Sequence, residues 1–209
     1  MSRLPAGLRK ALVWGGVALL PTDTVYGLAA WLDSRPGVEA LYALKGRPRD
    51  QPCQVLVYSR PLLGEALAGQ APAVRAAASA LLPGPATCLL ADVRERYGAA
   101  AGGSPGSLGL RAPLVDGPLA GLDLPLVATS ANRPGGPEPA TVDAVPEALR
   151  AGCAAVVDGG RLPGTASAVV DLRGVAEGGP ALLVRPGPAP DAVAASLAEA
   201  GCTLDVEAR

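Results

Sequence analysis

An α/β sheet with both faces partly covered is what the sequence predicts, on three observations. Apolar runs of strand length recur along the chain, and helical patterns fall between several of them. In addition, 49% of the 209 residues are apolar, enough to bury a real core in one domain. In chain order the strand-like runs are VALL (17–20), VLVY (55–58), TCLLADV (87–93), SLGLRA (107–112), LVATS (126–130), AAVVDG (154–159), AVVDL (168–172) and ALLVR (181–185). Helical periodicity covers GVEALYALK (37–45), PAVRAAASALL (72–82), TVDAVPEALRAG (141–152) and DAVAASLAEAG (191–201). In the first of these, Val38, Leu41, Tyr42 and Leu44 face inward. The Gly- and Pro-rich stretches 98–107 and 132–141 are loops too short to link independent domains, and no internal repeat appears. Residues 1–209 are therefore expected to form a single domain.

At the N-terminus, Arg3, Arg9 and Lys10 flank the apolar run ALVWGGVALL and imitate a signal peptide. The run is too short to span a bilayer, contains a Gly pair and leads directly into PTDTVYGLAA, so it reads as part of the folded domain.

Composition narrows the chemistry. A formal charge of −1 argues against a chain held to nucleic acid by bulk electrostatics, so any cationic site is local. The absence of histidine excludes Ser-His, Cys-His and HExxH chemistry. Cysteines 53, 88, 153 and 202 are scattered without a CxxC pair, which suits buried thiols in a reducing cytoplasm better than a disulfide frame or a zinc site. No protein-bound metal is expected.

Four segments carry candidate chemistry. In LLPTDTVYGLAA a buried strand ends at Pro21 and hands over to Thr22, Asp23, Thr24 and Tyr26, at the kind of strand end where ligand groups collect. The same residues equally fit a Thr/Asp-capped turn with Tyr26 in the core. In LYALKGRPRDQP, Lys45 and Arg47 stand at a helix C-terminus, where the dipole favours cations by roughly 0.3–1 kcal/mol without any ligand. Gly46 and Pro48 set the chain so that both heads can converge on one anion, and a planar guanidinium beside an ammonium suits phosphate oxygens. In SLGLRAP, strand alternation puts Ser107, Gly109 and Arg111 on the face opposite Leu108 and Leu110. Arg111 then meets either a ligand or an internal acid such as Asp116 or Asp123. In VATSAN, Ser130 and Asn132 leave a buried strand with side chains and backbone N–H groups suited to phosphate or ribose oxygens. Ser167 before one strand and Arg185 at the end of another repeat the theme, while neither GxxxxGK(S/T) nor GxGxxG spacing is present.

PTDTVYGLAA, LKGRPRDQP, LLPGPATCLL, LGLRAP, VATSANRPGG, VVDGG, SAVVDL and LVRPG, in this order over about residues 15–188, resemble the YrdC-like family, the threonylcarbamoyl-AMP synthases, in their short bacterial form. The resemblance implies a single α/β domain on a twisted mixed β-sheet, with flanking helices and an open concave substrate face. It implies a cytoplasmic nucleotidyltransferase that joins L-threonine, bicarbonate or CO2 and ATP into threonylcarbamoyl-adenylate, releasing diphosphate, for t6A modification of tRNA. Magnesium would accompany the ATP, the product would pass to a downstream threonylcarbamoyl transferase complex, and no membrane is involved. Carried over motif by motif, Thr24, Tyr26, Arg111 and Ser167 take threonine; Lys45, Arg47, Ser107, Ser130, Asn132 and Arg185 take ATP; and Lys45 and Arg47 are the catalytic cations. Three departures stand out: Leu56 where longer relatives have a His, Arg133-Pro134-Gly135 where Ser-Gly usually follows SAN, and Glu138 near an ATP-side Ser. Two alternatives share the resemblance. One is an RNA-binding module, disfavoured by the charge and by 3% aromatic content. The other is a carbamoyl-transfer relative like the module of hydrogenase maturation proteins.

Overall fold

Strand alternation and helix amphipathicity build this molecule around one sheet, seen in a computed structural model that describes residues 4–206; Arg3 lies outside the described residues. The signal-like run divides in two. Its first part ends helix α1 (Leu8–Val13), Gly15 and Gly16 turn the chain, and VALL enters strand β1 (Ala18–Pro21). Only glycine fits at 16, because a Cβ would stand 2.6 Å from the Ala154 Cβ and 2.8 Å from the Ala11 carbonyl oxygen. The chain continues through β2 (Tyr26–Trp31), α2 (Arg35–Lys45), β3 (Gln54–Leu56), α3 (Arg60–Leu67) and α4 (Pro72–Leu81). Next come β4 (Ala86–Ala91), α5 (Gly98–Ala101), β5 (Ser107–Arg111), β6 (Leu126–Ser130), α6 (Glu147–Ala151) and β7 (Ala155–Val156). The last elements are β8 (Ala168–Asp171), β9 (Ala181–Arg185), α7 (Pro190–Glu199) and β10 (Leu204–Val206).

Among the described residues the strands form one sheet in the order β10-β9-β8-β4-β5-β3-β6-β2-β1-β7. It is mixed: β1/β7, β3/β5, β4/β8 and β9/β10 pair in parallel, whereas β1/β2, β2/β6, β3/β6, β4/β5 and β8/β9 are antiparallel. One face, carrying Leu28, Val55, Cys88, Leu110, Val127 and Val170, packs on the apolar stripes of α2, α4 and α7. Burying each such Leu or Val contributes roughly 1.5–3 kcal/mol.

The other face is divided. Leu8 and Leu12 of α1, with Leu119, Leu122 and Leu124, cover Leu20, Ala29, Leu56 and Leu126 at one end. The other end carries no such cover and forms a concave hollow. Leu56 therefore belongs to the covered half and is almost wholly buried.

Several expectations shift. The helical pattern over 141–152 breaks into a 3-10 turn (Val142–Ala144) and α6, because Pro146 lacks the N–H that a continuing helix needs. β2 (YGLAAW) is a strand absent from the runs read in the sequence; the Thr/Asp turn lies before it, at 22–25. In α2, Lys45 is buried while Leu44 is only partly so. Among the described residues no helix is long and apolar enough to cross a membrane.

Candidate active site

Alternation along the central strands sets which side chains face the hollow. Gln54 of β3, Thr87 and Leu89 of β4, Gly109 and Arg111 of β5 and Ala128 of β6 all line a cavity of about 460 Å³. Their in-between neighbours Val55, Cys88, Leu110 and Val127 are core. Gly109 keeps the floor low. A Cβ there would meet the Leu89 Cδ2 at 3.7 Å, Gln54 Cα at 3.8 Å and the Cys53 carbonyl oxygen at 3.9 Å, all ordinary contacts, so a larger residue would fit the strand and intrude on the cavity.

Arg111, 1% exposed, anchors the polar end. Its Nη1 donates to the Gly84 and Ala86 carbonyls, which the LPGPA turn aims at it, and its Nη2 donates to Asp23 Oδ1 and Thr24 Oγ1. Asp23 Oδ2 accepts from the Leu114 N–H at 2.9 Å. The acid that meets Arg111 is thus Asp23, not Asp116 or Asp123; Asp123 accepts from Arg9 instead. Among the described residues, Nε–H is the guanidinium donor without a protein partner.

Thr22 Oγ1 donates to the Val25 carbonyl and accepts from the Thr24 and Val25 N–H groups. This turn fixes Asp23 and Thr24 against the arginine, with the two threonine hydroxyls 2.9 Å apart. Opposite, Ser167 Oγ lies 3.0 Å from Thr87 Oγ1, and Arg185 Nε donates to the Ser167 carbonyl at 2.9 Å. Ser104, Ser107, Arg47, Arg185 and Arg173 add to the polar lining, with Arg173 held bidentately by Asp171.

A second cavity of about 390 Å³ shares Arg47, Thr129, Ser130 and Glu138 with the first and adds Lys45 and Asn132. Lys45, 7% exposed, donates from Nζ to the Ser130 carbonyl at 2.8 Å, to Asn132 Oδ1 at 2.7 Å and to the Asn132 carbonyl. Ser130 Oγ donates to the same Oδ1, and Asn132 Nδ2 donates to the Gly136 carbonyl. Burial pushes the Lys45 ammonium down to about 8, opposed by the field of Glu138. Arg47 Nη2 donates to the Pro52 carbonyl at 2.6 Å. The stretch 98–107, expected as a loop, opens with α5 and ends in β5, and the turn bearing Arg47 leans on it through Gly103 N–H to Asp50 O (2.6 Å) and Cys53 N–H to the α5 carbonyl of Ala100 (2.8 Å). At Gly102 (φ +56°) a Cβ would lie 2.7 Å from the Asp50 oxygen.

Of the residues expected at the site, Thr24, Arg47, Ser107, Arg111, Ser130, Ser167 and Arg185 line the main cavity, and Lys45 and Asn132 line the adjoining one. Tyr26 does neither, which corrects its assignment to the threonine pocket. Its side chain points to the helix-covered face, where the hydroxyl's one proton lies within reach of both Asp158 Oδ1 and the Gly160 carbonyl, and its oxygen accepts from the Gly159 N–H. Sequence reasoning did not single out Asp23 as the partner of Arg111, nor Thr87, Gln54 and Arg173 as cavity groups. Alternation from Arg111 across β4 would have reached Thr87, which pairs with it directly.

Comparison with known proteins points in one direction. The Sua5/yciO/yrdC family, described as telomere recombination, matches residues 10–187. The chain is similar to the threonylcarbamoyl-AMP synthase of Marinobacter nauticus, at 33% identity over 135 residues, covering 63% of this chain and 70% of that one. It is similar to the enzyme of the same name from Pyrococcus abyssi at 32% identity over 193 residues, covering 90% of this chain and 54% of that one. The crystal structure of P. abyssi Sua5 complexed with L-threonine aligns with a TM-score of 0.77 at 28% identity, over 94% of this chain and 57% of that one. The chain thus spans a little over half the length of its P. abyssi relative.

Proposed function

The chain belongs to the Sua5/yciO/yrdC family, and from that premise we propose that it is a threonylcarbamoyl-AMP synthase. In this reading it makes threonylcarbamoyl-adenylate and diphosphate from L-threonine, bicarbonate or CO2 and ATP, in the cytoplasm, for hand-over to the t6A transferase machinery. One observation carries it: in a chain of net charge −1, the guanidinium groups of Arg47, Arg111 and Arg185 line one hollow that continues into the cavity of Lys45. Two anionic reactants need that arrangement.

The threonine carboxylate sits against Arg111 Nε–H, Thr24 and Ser167. The neutral amine forms a C–N bond to carbon dioxide and releases one proton to solvent, or to bicarbonate, in which case that proton leaves in the water lost. A carbamate oxygen then forms a bond to the α-phosphorus as the bond to the β-phosphate oxygen breaks and diphosphate leaves. The chief obstacle is repulsion between two anions and their encounter geometry, which fixed cations and oriented donors remove without histidine. By analogy with other phosphoryl transfers, one well-placed arginine supplies ~10³ in rate, about 4 kcal/mol. Arg47 fills that place. Lys45 acts at one remove: its three donors hold Ser130 and Asn132 in position, and its charge adds to the field at the phosphates. Magnesium bound with the nucleotide would neutralise part of the triphosphate charge.

Incubation with labelled bicarbonate, ATP and threonine should yield a labelled carbamoyl-adenylate and diphosphate, both dependent on threonine. Absence of a threonine-dependent adenylate refutes the reading. K45A and R47A should each lose at least tenfold in diphosphate release, and near-normal turnover in both would end their assignment.

A further inference from the structure

Glu138 is an acid in a place that the proposed function gives to phosphates. It lines both cavities, beside Arg47 and Ser130. Its Oε2 has no contact with solvent and no hydrogen-bond partner, and the residue forms no ion pair among the described residues. The nearby cations reach it through their field, as Lys45 does, but not by hydrogen bonds: Lys45 Nζ donates to three other oxygens, and Arg47 donates to the carbonyls of Gln51 and Pro52. Nor is the segment loose. Pro137 and Pro139 flank Glu138, the Pro139 carbonyl accepts from the Tyr26 N–H at 3.0 Å, and Gly136 is bonded to Asn132.

A carboxylate oxygen cut off from water is unfavourable until a cation or a donor reaches it. The group that enters here in the proposed reading is a polyanion, which Glu138 repels. A divalent ion between the two resolves both problems, and magnesium typically takes one or two carboxylates, substrate phosphate oxygens and several waters. Among the described residues no three acidic or thiol side chains converge to hold a metal without the nucleotide.

Resting on the proposed nucleotide site, we infer that Glu138 makes that site select the magnesium complex of ATP over the metal-free nucleotide, its carboxylate serving as the chain's own oxygen ligand to the ion, directly or through a coordinated water. A ribose hydroxyl would also satisfy Oε2. The company of Lys45, Arg47 and Ser130 favours the phosphate end.

Calorimetric titration with α,β-methylene-ATP, in excess Mg2+ and separately in EDTA, tests this in wild type, E138Q, E138S and E138D. Wild type should prefer the magnesium form by at least tenfold. E138Q and E138S should bring that preference to within about twofold of unity, chiefly by tightening metal-free binding, while E138D retains most of it. Titration of Mn2+ into the protein–nucleotide complex, followed by its paramagnetic resonance signal, should show about tenfold weaker ion binding in E138Q. A preference unchanged by E138Q, or equal losses in both forms as a hydroxyl acceptor would give, overturns the inference and leaves the synthase reading standing. Failure of wild type to bind either form overturns both.

Discussion

Replacing Asp23 by Asn removes the charge that meets Arg111 and keeps the shape. Removing one partner of a buried ion pair typically costs 3–5 kcal/mol, because a charge is left without compensation. Three features place this pair at the low end. The Asp23 side chain is 12% exposed against 1% for Arg111. The guanidinium keeps its bonds to Gly84, Ala86 and Thr24. The amide oxygen of Asn can still accept from the Leu114 N–H, now bonded to Asp23. The expected loss is therefore about 3 kcal/mol, equivalent to roughly 6–12 °C in Tm for a chain of this size. Urea titration should show a lower midpoint with an unchanged slope, as a pure stability effect requires. The pair D23L/R111M should recover most of the loss, since well-packed apolar residues often replace a buried pair without penalty, and it should be catalytically dead. A D23N protein less than about 1 kcal/mol weaker than wild type would show that Arg111 does not depend on Asp23, and the reasoning would fail.

Three other outcomes follow from the geometry. The Lys45 ammonium is lowered from 10.5 to about 8 by burial, so the unfolded chain binds more protons than the folded one between those values. Lys45 therefore contributes stability that rises with pH across that window, against Cys53, Cys88 and Cys153, whose thiols are raised by burial and act in the opposite direction above about pH 9. The difference between wild type and K45M in urea titrations should isolate the rising slope, and in calorimetric titrations nucleotide affinity should fall by up to about tenfold per pH unit in wild type but not in K45M. Y26F removes the hydroxyl bonded to Asp158, Gly159 and Gly160, so it should lose about 1–3 kcal/mol in urea titration with the threonine KM unchanged within twofold. A selective rise in that KM would return Tyr26 to the pocket. G109V should fold with a Tm close to that of wild type, because strands favour valine, and lose at least a hundredfold in threonine-dependent diphosphate release. Normal turnover would show that the floor of the hollow is not where substrates lie.

What the sequence makes legible is what periodicity and short motifs encode. The alternation of SLGLR puts Arg111 on the open face, and the helix leading to Lys45 and Arg47 ends where Gly46 takes the left-handed conformation (φ +63°). The order of motifs identifies the family. Long-range partners are harder to read, because they depend on how elements meet. Nothing in PTDT says that Asp23 will meet an arginine 88 positions away, nor that the LPGPA turn will aim its carbonyls at the same group. Tyr26 shows the converse: a motif position that looks like a pocket residue serves the fold, its hydroxyl holding the loop that bears VVDGG. Lys45 looked like a free cation from its place at a helix end. Only the folding of the 130–132 turn over it supplies the three oxygens that occupy its donors.

The hydrogen-only clearance at Gly102 makes the connection between β4 and β5 and the cation-bearing turn after α2 a matched pair of mechanical parts, fitted backbone to backbone rather than through substrate. Chimeras that import either segment alone from a distant relative should jam or loosen the joint and misplace Arg47, whereas importing both together should restore it. Drift in one segment is thus answerable to the other, although many residues of sequence separate them.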